Sequence, residues 1–209
     1  MFLKNTWRLW LLLIVPLTAS VVLAATPPKT PDTFQAHLEK GNELLIAGKL
    51  DDARAEFERA IELDPQNPIG YNNLGIVYRR QKLEFLAIGQ FKRALELEPR
   101  YYKAHNNMGN CFYAAAEYDN AITAYREALK IRPSFAEAYY NMALCFEKQN
   151  QVPQAMDSWR KFLKLQSGGE NVDVAEDHLA RLMSGENPQG NPTNPTKDST
   201  ESTSGDGVK

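Results

Sequence analysis

Two cysteines and three histidines are the residues of this 209-residue sequence whose chemistry could serve a redox, metal-binding or nucleophilic function. Cys111 and Cys145 are 34 residues apart, and thiolates can form a disulfide, attack an electrophile or bind a metal. The nearest histidine in sequence, His105, precedes Cys111 by six residues and falls on another face of a helix. No glycine-rich phosphate loop, paired-carboxylate motif or Ser-His-Asp arrangement stands out. These patterns predict a non-catalytic protein with no metal and no cofactor.

The cysteine spacing belongs to a 34-residue period that organises most of the chain. In the clearest copy, residues 68–101, one helical stripe carries Tyr71, Leu74, Gly75 and Tyr78. A second stripe carries an alanine, an aromatic residue and another alanine, and a proline closes the unit. One period later the matching residues, with no insertion, are His105, Met108, Gly109, Phe112, Ala121, Tyr125, Ala128 and Pro133. A weaker copy precedes these two, and another follows them.

This order of bulky, Leu-Gly, aromatic, alanine and proline positions in a 34-residue period resembles the tetratricopeptide repeat. The resemblance covers about residues 34–184 and implies an all-α fold. It implies an α-solenoid, a right-handed superhelix of four antiparallel helix-turn-helix hairpins of 34 residues, closed by a C-terminal capping helix. The predicted units are residues 34–67, 68–101, 102–135 and 136–169, and the capping helix is residues 170–184.

Small residues recur where the two helices of each hairpin should face each other. Gly75 and Gly109 share one position in the first helix, and Ala143 holds it in the last unit. A mid-helix glycine costs about 0.5–1 kcal/mol relative to alanine, so its recurrence indicates close helix approach. Cys111 and Cys145 share a position in consecutive first helices, which pack about 8–10 Å apart, whereas a disulfide needs Cα atoms within roughly 7 Å. We therefore expect two buried thiols, with a disulfide as the alternative.

The histidines are expected to have structural roles. His37 and His105 occupy the bulky position that Tyr71 and Tyr139 hold in the other units, which predicts that both are packing residues. His178 falls in the capping helix and is predicted to lie on the surface.

The N-terminal segment differs from the repeats in composition. Residues 1–25 are predicted to be a signal peptide, because Lys4 and Arg8 precede the uncharged and mostly apolar stretch 9–25. The predicted location is therefore outside the cytoplasm, either periplasmic or extracellular. The alternative is an uncleaved membrane anchor with the repeats outside the cytoplasm, although 17 residues lie at the lower limit for spanning a bilayer.

Two other segments lack the repeat pattern. Residues 26–33 are proline-rich and are predicted to form a short linker. Residues 185–209 contain three Asn-Pro pairs followed by polar and charged residues, which predicts a disordered tail. The formal net charge is −2, and a mildly acidic chain with no basic block is a poor nucleic-acid binder.

The resemblance also implies where a partner binds. In tetratricopeptide repeats, ligands lie along the concave face formed by the first helix of each hairpin. Here the predicted partner-binding groove consists of Asn72, Ile76, Arg79, Arg80, Lys103, Asn106, Asn110, Tyr113 and Tyr140. Amides can bond to a peptide backbone, cations to a carboxylate, and tyrosines provide contact area. By contrast, Asn73, Asn107 and Asn141 occupy a position that the family uses for its own packing.

Some members of the family bind the C-terminal carboxylate of chaperones with a five-residue clamp, and Asn42, Asn73 and Lys103 match that set. Leu38 and Asn107 replace the expected basic residues, so the clamp is incomplete. The sequence predicts a protein–protein interaction module that binds a peptide or protein segment, for which an acidic or carboxylate-bearing segment would suit the cations. It would act as a scaffold or adaptor in an envelope or secreted complex. The alternatives are a membrane-anchored assembly factor and a redox protein that uses the two cysteines.

Overall fold

A computed structural model describes residues 32–166 and 168–185 of the chain. The predicted signal peptide or anchor, the linker up to residue 31, residue 167 and the tail from residue 186 lie outside the described residues. The helices of the described part are α1 (Phe34–Ile46), α2 (Leu50–Leu63), α3 (Pro68–Arg80), α4 (Glu84–Leu97), α5 (Tyr102–Ala114), α6 (Tyr118–Ile131), α7 (Ala136–Lys148), α8 (Val152–Leu165) and α9 (Glu170–Met183). No strand accompanies them there, and the predicted all-α fold is confirmed.

The helices pack in the order in which they follow along the chain. Four hairpins pair α1 with α2, α3 with α4, α5 with α6 and α7 with α8, and the second helix of each hairpin packs on the first helix of the next. The first helices of successive hairpins also touch one another, and α9 packs on α8. This arrangement is the predicted helical-repeat solenoid. Among the described helices, none is long and apolar enough to cross a membrane.

Glycine permits the close contact inside the hairpins. A Cβ atom at Gly75 would lie 2.6 Å from Cε1 of Phe91, and one at Gly109 would lie 2.5 Å from Cε1 of Tyr125. Non-bonded carbon atoms are ordinarily about 3.5–4.0 Å apart, so no larger residue fits against these rings unless they move. The predicted close approach of the two helices is therefore confirmed, and Ala143 takes the glycine position in the fourth hairpin.

The turn after the first helix of every hairpin contains one residue with a left-handed backbone. Its φ is 75° at Gly48, 60° at Lys82, 59° at Ala116 and 57° at Asn150. A residue in this conformation ends the helix and directs the chain into the next one. The second helix of each of the first three hairpins ends two residues before a proline, as predicted.

The capping helix α9 covers the open side of the last hairpin. Val172, Ala175 and Leu182 are buried in one apolar cluster with Phe162, which stands where earlier hairpins have alanine. Met183, the last residue of the helix, is 65% exposed and lies outside this cluster.

Charged side chains connect the start of α1 to α2. Nδ1 of His37 lies 2.6 Å from Oε2 of Glu56, and its Nε2 lies 2.9 Å from Oδ1 of Asp32. Nη2 of Arg59 donates to Oδ2 of Asp32 at 2.7 Å, and Nζ of Lys40 lies 2.6 Å from Oε1 of Glu56. The hydrogen bonds from Arg59 and His37 lower the pKa of Asp32 to about 2, whereas the bond to Glu56 raises the pKa of His37.

Candidate functional site

The first helices of the hairpins line a cavity of about 470 Å³, which we call the groove. Its walls come from α1, α3, α5 and α7 and from the N-cap residues of α5 and α7. The lining residues are Leu38, Asn42, Ile69, Asn72, Asn73, Ile76, Tyr101, Lys103, Asn106, Asn107, Phe135 and Glu137. None of them belongs to a second helix of a hairpin, so the groove lies on the face that the first helices form.

The groove contains some of the predicted site residues and not others. It contains Asn72, Ile76, Lys103 and Asn106. The predicted residues outside its lining are Arg79, Arg80, Asn110, Tyr113 and Tyr140. Tyr101 and Phe135 also line the groove, although they were not among the predicted residues. A signal for the two aromatic residues existed, because they are one 34-residue period apart and precede α5 and α7 directly.

Asparagine side chains form a hydrogen-bonded series along one end of the groove. Nδ2 of Asn73 donates to Oδ1 of Asn42 at 3.2 Å, and Nδ2 of Asn72 donates to Oδ1 of Asn73 at 3.1 Å. Nδ2 of Asn107 donates to Oδ1 of Asn72 at 3.0 Å. These bonds join α1, α3 and α5, so the packing role predicted for Asn73 and Asn107 is confirmed. Asn72 itself is only 3% exposed.

A second set of polar side chains joins α5 to α7. Nδ2 of Asn106 donates to Oε1 of Glu137 at 2.9 Å, and its Oδ1 accepts a hydrogen bond from Asn141 at 3.3 Å. Asn141 also donates to Oδ1 of Asn110, which accepts a 2.7 Å bond from the hydroxyl of Tyr125. Asn106 is 2% exposed, and both ends of its amide have protein partners. A ligand in the groove would therefore contact the exposed side chains rather than this amide.

Lys103 and neighbouring apolar side chains form the accessible part of the groove. The Lys103 side chain is exposed, and no carboxylate within residues 32–166 and 168–185 forms an ion pair with it. Ile69 is 38% exposed, and Ile76 is half-buried in the same lining. The groove thus combines one unpaired ammonium group with apolar surface, and the exposed carboxylate of Glu137 lies in the same lining, where it accepts the hydrogen bond from Asn106.

The two predicted arginines have contacts elsewhere. Nη1 of Arg80 donates to the backbone carbonyl of Leu45, near the end of α1. The same carbonyl accepts a 3.1 Å hydrogen bond from the backbone N–H of Gly48, so Arg80 adds a second bond at the C-terminal end of α1. Nε of Arg79 is buried and has no hydrogen-bond partner within the described part of the chain. Of the three predicted basic residues, only Lys103 lines the groove.

The two predicted tyrosines pack against other aromatic rings. Tyr113 meets Tyr118 edge to face, with ring centroids 5.6 Å apart. Tyr140 meets Trp159 at 5.0 Å and Phe162 at 5.3 Å. Part of the contact area that was predicted to serve a partner is thus used for packing within the last two hairpins.

Comparison with protein families identifies the repeats. A family described as "TPR repeat" matches residues 41–82 and 109–150, and a family described as "Tetratricopeptide repeat" matches residues 137–168. The chain contains tetratricopeptide repeats. Proteins built from these repeats (TPR proteins) are generally non-catalytic interaction modules, so the TPR domain of this chain is in a class that binds other proteins.

Solved structures with a similar fold are also TPR proteins. A crystal structure of MamA is 26% identical with a TM-score of 0.59, and the match covers 65% of this chain and 79% of MamA. The first TPR of Spaghetti (RPAP3), bound to the HSP90 peptide SRMEEVD, is 25% identical with a TM-score of 0.54, and the match covers 56% of this chain and 94% of that one. PilF of Pseudomonas aeruginosa, at 23% identity and a TM-score of 0.66, shows the fold alone, with 72% of this chain and 68% of PilF covered.

Curated relatives match only a short part of the TPR domain. DnaJ homolog subfamily C member 3 of Homo sapiens is 45% identical over 56 residues, which are 27% of this chain and 10% of that protein. The protein of the same name from Bos taurus gives the same values. The chain therefore spans about a tenth of the length of the curated relatives it matches.

A buried carboxylate connects the last TPR hairpin to the capping helix. Glu147 is 5% exposed, and its Oε1 accepts a 2.6 Å hydrogen bond from Nε1 of Trp159. Nδ1 of His178 lies 2.9 Å from Oε2 of Glu147, and the rings of His178 and Trp159 are 5.1 Å apart. The prediction of a surface role for His178 is therefore wrong, because its imidazole reaches inward to a carboxylate on the preceding hairpin.

The two cysteines lie in the TPR core as free thiols. Both are 0% exposed, so the expectation of buried thiols is confirmed. Burial raises the pKa of Cys111 to about 11 and that of Cys145 to about 12. Thiols with such pKa values are poor nucleophiles at neutral pH. Within the described residues, no group of three or more histidine, cysteine or acidic side chains is placed to hold a metal ion.

Proposed function

We propose that this chain is exported and that its TPR domain binds an extended segment of another protein in the groove, as a scaffold or adaptor. The observation that carries the proposal is the exposed Lys103 ammonium, which has no ion-pair partner among the described residues and lies in a groove with Ile69 and Ile76. Such a surface offers one cationic contact and one apolar contact to a ligand. Both are typical of peptide recognition.

The groove favours a ligand with one carboxylate close to an apolar side chain. The five positions that resemble the chaperone clamp do come together, because Leu38, Asn42, Asn73, Lys103 and Asn107 all line this groove. Only one of the five is a cation, however. A ligand with a single carboxylate therefore suits this groove better than one whose recognition needs several cations.

The bound Spaghetti (RPAP3) structure supports the same general use of the fold, since that TPR holds an HSP90 peptide. The present groove differs in the residues named above, so we propose peptide binding without assigning a chaperone as partner. The amides of Asn72 and Asn106 would support the groove from beneath, because both are hydrogen-bonded within the protein.

The proposed location rests on residues 1–25 of the sequence, where two basic residues precede an uncharged apolar stretch. Mass spectrometry of the N-terminus of the protein purified from its cells tests it. An N-terminus at Ala25 or Thr26 supports export with cleavage. An intact segment recovered with the membrane fraction would support the anchored assembly factor instead.

A peptide array tests the groove itself. The probes are hexapeptides with one apolar residue near the C-terminus, each made with a free carboxylate and with an amidated end. We expect the free-carboxylate series to bind more tightly. Lys103→Glu should weaken that binding by about tenfold or more, because it replaces an attractive charge with a repulsive one. Amidated peptides should be much less sensitive to this substitution.

The matched control is Lys164→Glu, which makes the same change of net charge at an exposed lysine outside the groove. Circular dichroism should show the same helix content for both variants. Equal peptide binding by wild type and Lys103→Glu would place any ligand on another surface. Equal weakening by both substitutions would show a nonspecific effect of net charge.

A further inference from the structure

Helix α4 exposes an apolar surface on the side of the second hairpin that does not line the groove. Phe85 is 87% exposed, Leu86 is 45% exposed, and Leu83 in the preceding turn is 43% exposed. None of the groove-lining residues belongs to α4. Isolated exposed leucines are common in proteins, but three large apolar residues within one turn form a patch.

The patch is specific to the second hairpin. At the position of Phe85, the first and third hairpins have Asp51 and Asp119. Each of those carboxylates accepts a hydrogen bond from the next hairpin, at 3.0 Å from Gln81 and at 2.8 Å from Gln149. The fold therefore works with a polar residue here, and packing within the TPR domain does not require phenylalanine.

A glycine lies one turn further along the same face. Gly89 is exposed in the middle of α4, and a Cβ atom built there has no other atom within 4 Å. It differs from Gly75, whose Cβ would meet the ring of Phe91. A mid-helix glycine destabilises a helix relative to alanine. Gly89 therefore lowers the stability of α4, and no packing contact in the described structure requires it. A bare backbone at this point allows another helix to approach closely.

Unpaired lysines lie at both ends of this surface. Lys82 immediately precedes Leu83, and Lys92 follows Gly89 by one turn on the exposed side of α4. Both lysines are exposed, and neither has an ion-pair partner within residues 32–166 and 168–185. A partner that carries carboxylates beside its apolar residues would complement them.

We propose that the surface formed by Leu83, Phe85, Leu86 and Gly89 is a second docking site, which binds an amphipathic α-helix of another protein whose apolar stripe is flanked by carboxylates. The apolar stripe would cover Phe85 and the two leucines, and the helix would approach the backbone at Gly89. This site is separate from the groove, and it would let the TPR domain hold two partners at once.

The area of the surface favours a single helix over a second copy of the chain. One aromatic side chain contributes roughly 150–250 Å², so Phe85 with the two half-exposed leucines amounts to on the order of 300 Å². Each partner in a standard stable interface contributes about 800 Å². The patch is therefore small for a dimer contact, but it matches the central anchor of a helix-binding site.

The test uses the full chain and a phage-displayed library of amphipathic helices of about five turns, with a fixed apolar stripe and random flanking residues. Binders are selected on the wild type alone, and Phe85→Asp is kept for the affinity measurements that follow. This variant introduces the residue that two other hairpins already have, and it should fold normally. We expect the enriched helices to carry acidic flanks.

The best binder is then synthesised as a soluble peptide and its affinity for variants is measured by fluorescence anisotropy. Phe85→Asp should weaken binding by about tenfold or more. Gly89→Ala should weaken binding while raising the melting temperature, a pair of effects that a purely structural role would not produce. Lys92→Glu should also weaken binding, whereas the groove variant Lys103→Glu should leave it unchanged.

Several outcomes would overturn the proposal. These are no enrichment, enrichment of helices with basic flanks, and equal affinity for wild type and Phe85→Asp. Sedimentation of the chain alone and with anionic phosphatidylglycerol vesicles tests the other occupants. A concentration-dependent dimer that Phe85→Asp abolishes would assign the surface to a second copy of the chain, and vesicle binding that the same substitution abolishes would assign it to a lipid surface.

Discussion

Replacing Gly75 by alanine should destabilise the protein, although alanine is the better helix former. Gly75 is buried in α3 and faces the ring of Phe91 in α4. The added Cβ atom would lie 2.6 Å from Cε1 and 2.9 Å from Cδ1 and Cζ of that ring. Phe91 is itself 0% exposed, so its ring cannot relieve the contact by turning into solvent.

Two opposing effects determine how much Gly75→Ala changes the free energy of unfolding. The ring and the new methyl group must separate by about 1 Å to reach an ordinary carbon–carbon contact, and overpacking of this kind costs about 1–3 kcal/mol. The higher helix propensity of alanine offsets about 0.5–1 kcal/mol of this cost. We therefore expect a net loss of about 0.5–2 kcal/mol, which lowers the melting temperature of a domain of this size by roughly 2–6 °C.

Gly89→Ala is the matched control, because it makes the same change in the same hairpin at a position with open space. It should stabilise the protein by about 0.5–1 kcal/mol. Urea denaturation and thermal melting, both followed by circular dichroism, measure the two variants side by side. If Gly75→Ala is as stable as the wild type, or is stabilised like Gly89→Ala, close helix contact does not explain the glycine at this position.

Two further predictions concern titratable groups. Cys111 and Cys145 should remain largely unlabelled by iodoacetamide in the native protein at pH 8 and react fully in urea, because burial raises their pKa values to about 11 and about 12; rapid labelling of the native protein would show that the core opens readily. Stability should fall as the pH rises from 6.5 through the raised pKa of His37, because its bond to Glu56 favours the protonated imidazole only in the folded state. His37→Gln should remove this part of the pH dependence, and an unchanged pH profile would contradict the assignment.

The repeat architecture could be predicted from the sequence because its causes are local or recur at a fixed interval. Gly75 and Gly109 stand one period apart opposite aromatic rings, and the contact they imply is present at both positions. In each of the first three hairpins, a proline two residues after the second helix stops that helix from continuing. Such signals do not require knowledge of which helix lies beside which, since each hairpin repeats the same internal geometry.

The surface of α4 was also visible in the sequence, although the sequence analysis did not select it. Comparing Phe85 with Asp51 and Asp119 at the same repeat position would have marked it as an exception. The repeat pattern marks the positions that make the fold and those that the family uses for ligands. Phe85 belongs to neither set, and only its 87% exposure showed that it lacks a partner in the described structure.

The sequence by itself determined the helices, the repeat unit and the face on which Asn72 and Asn106 lie. Only the tertiary structure decided whether those side chains remain free, because their partners Asn107 and Asn141 come from the first helix of the next hairpin, 35 residues along the chain. The helical period specifies the direction of a side chain within one helix. The distance to a side chain on a neighbouring helix depends on how the two helices pack, so Asn72 and Asn106 are bonded within the protein while Lys103 remains available.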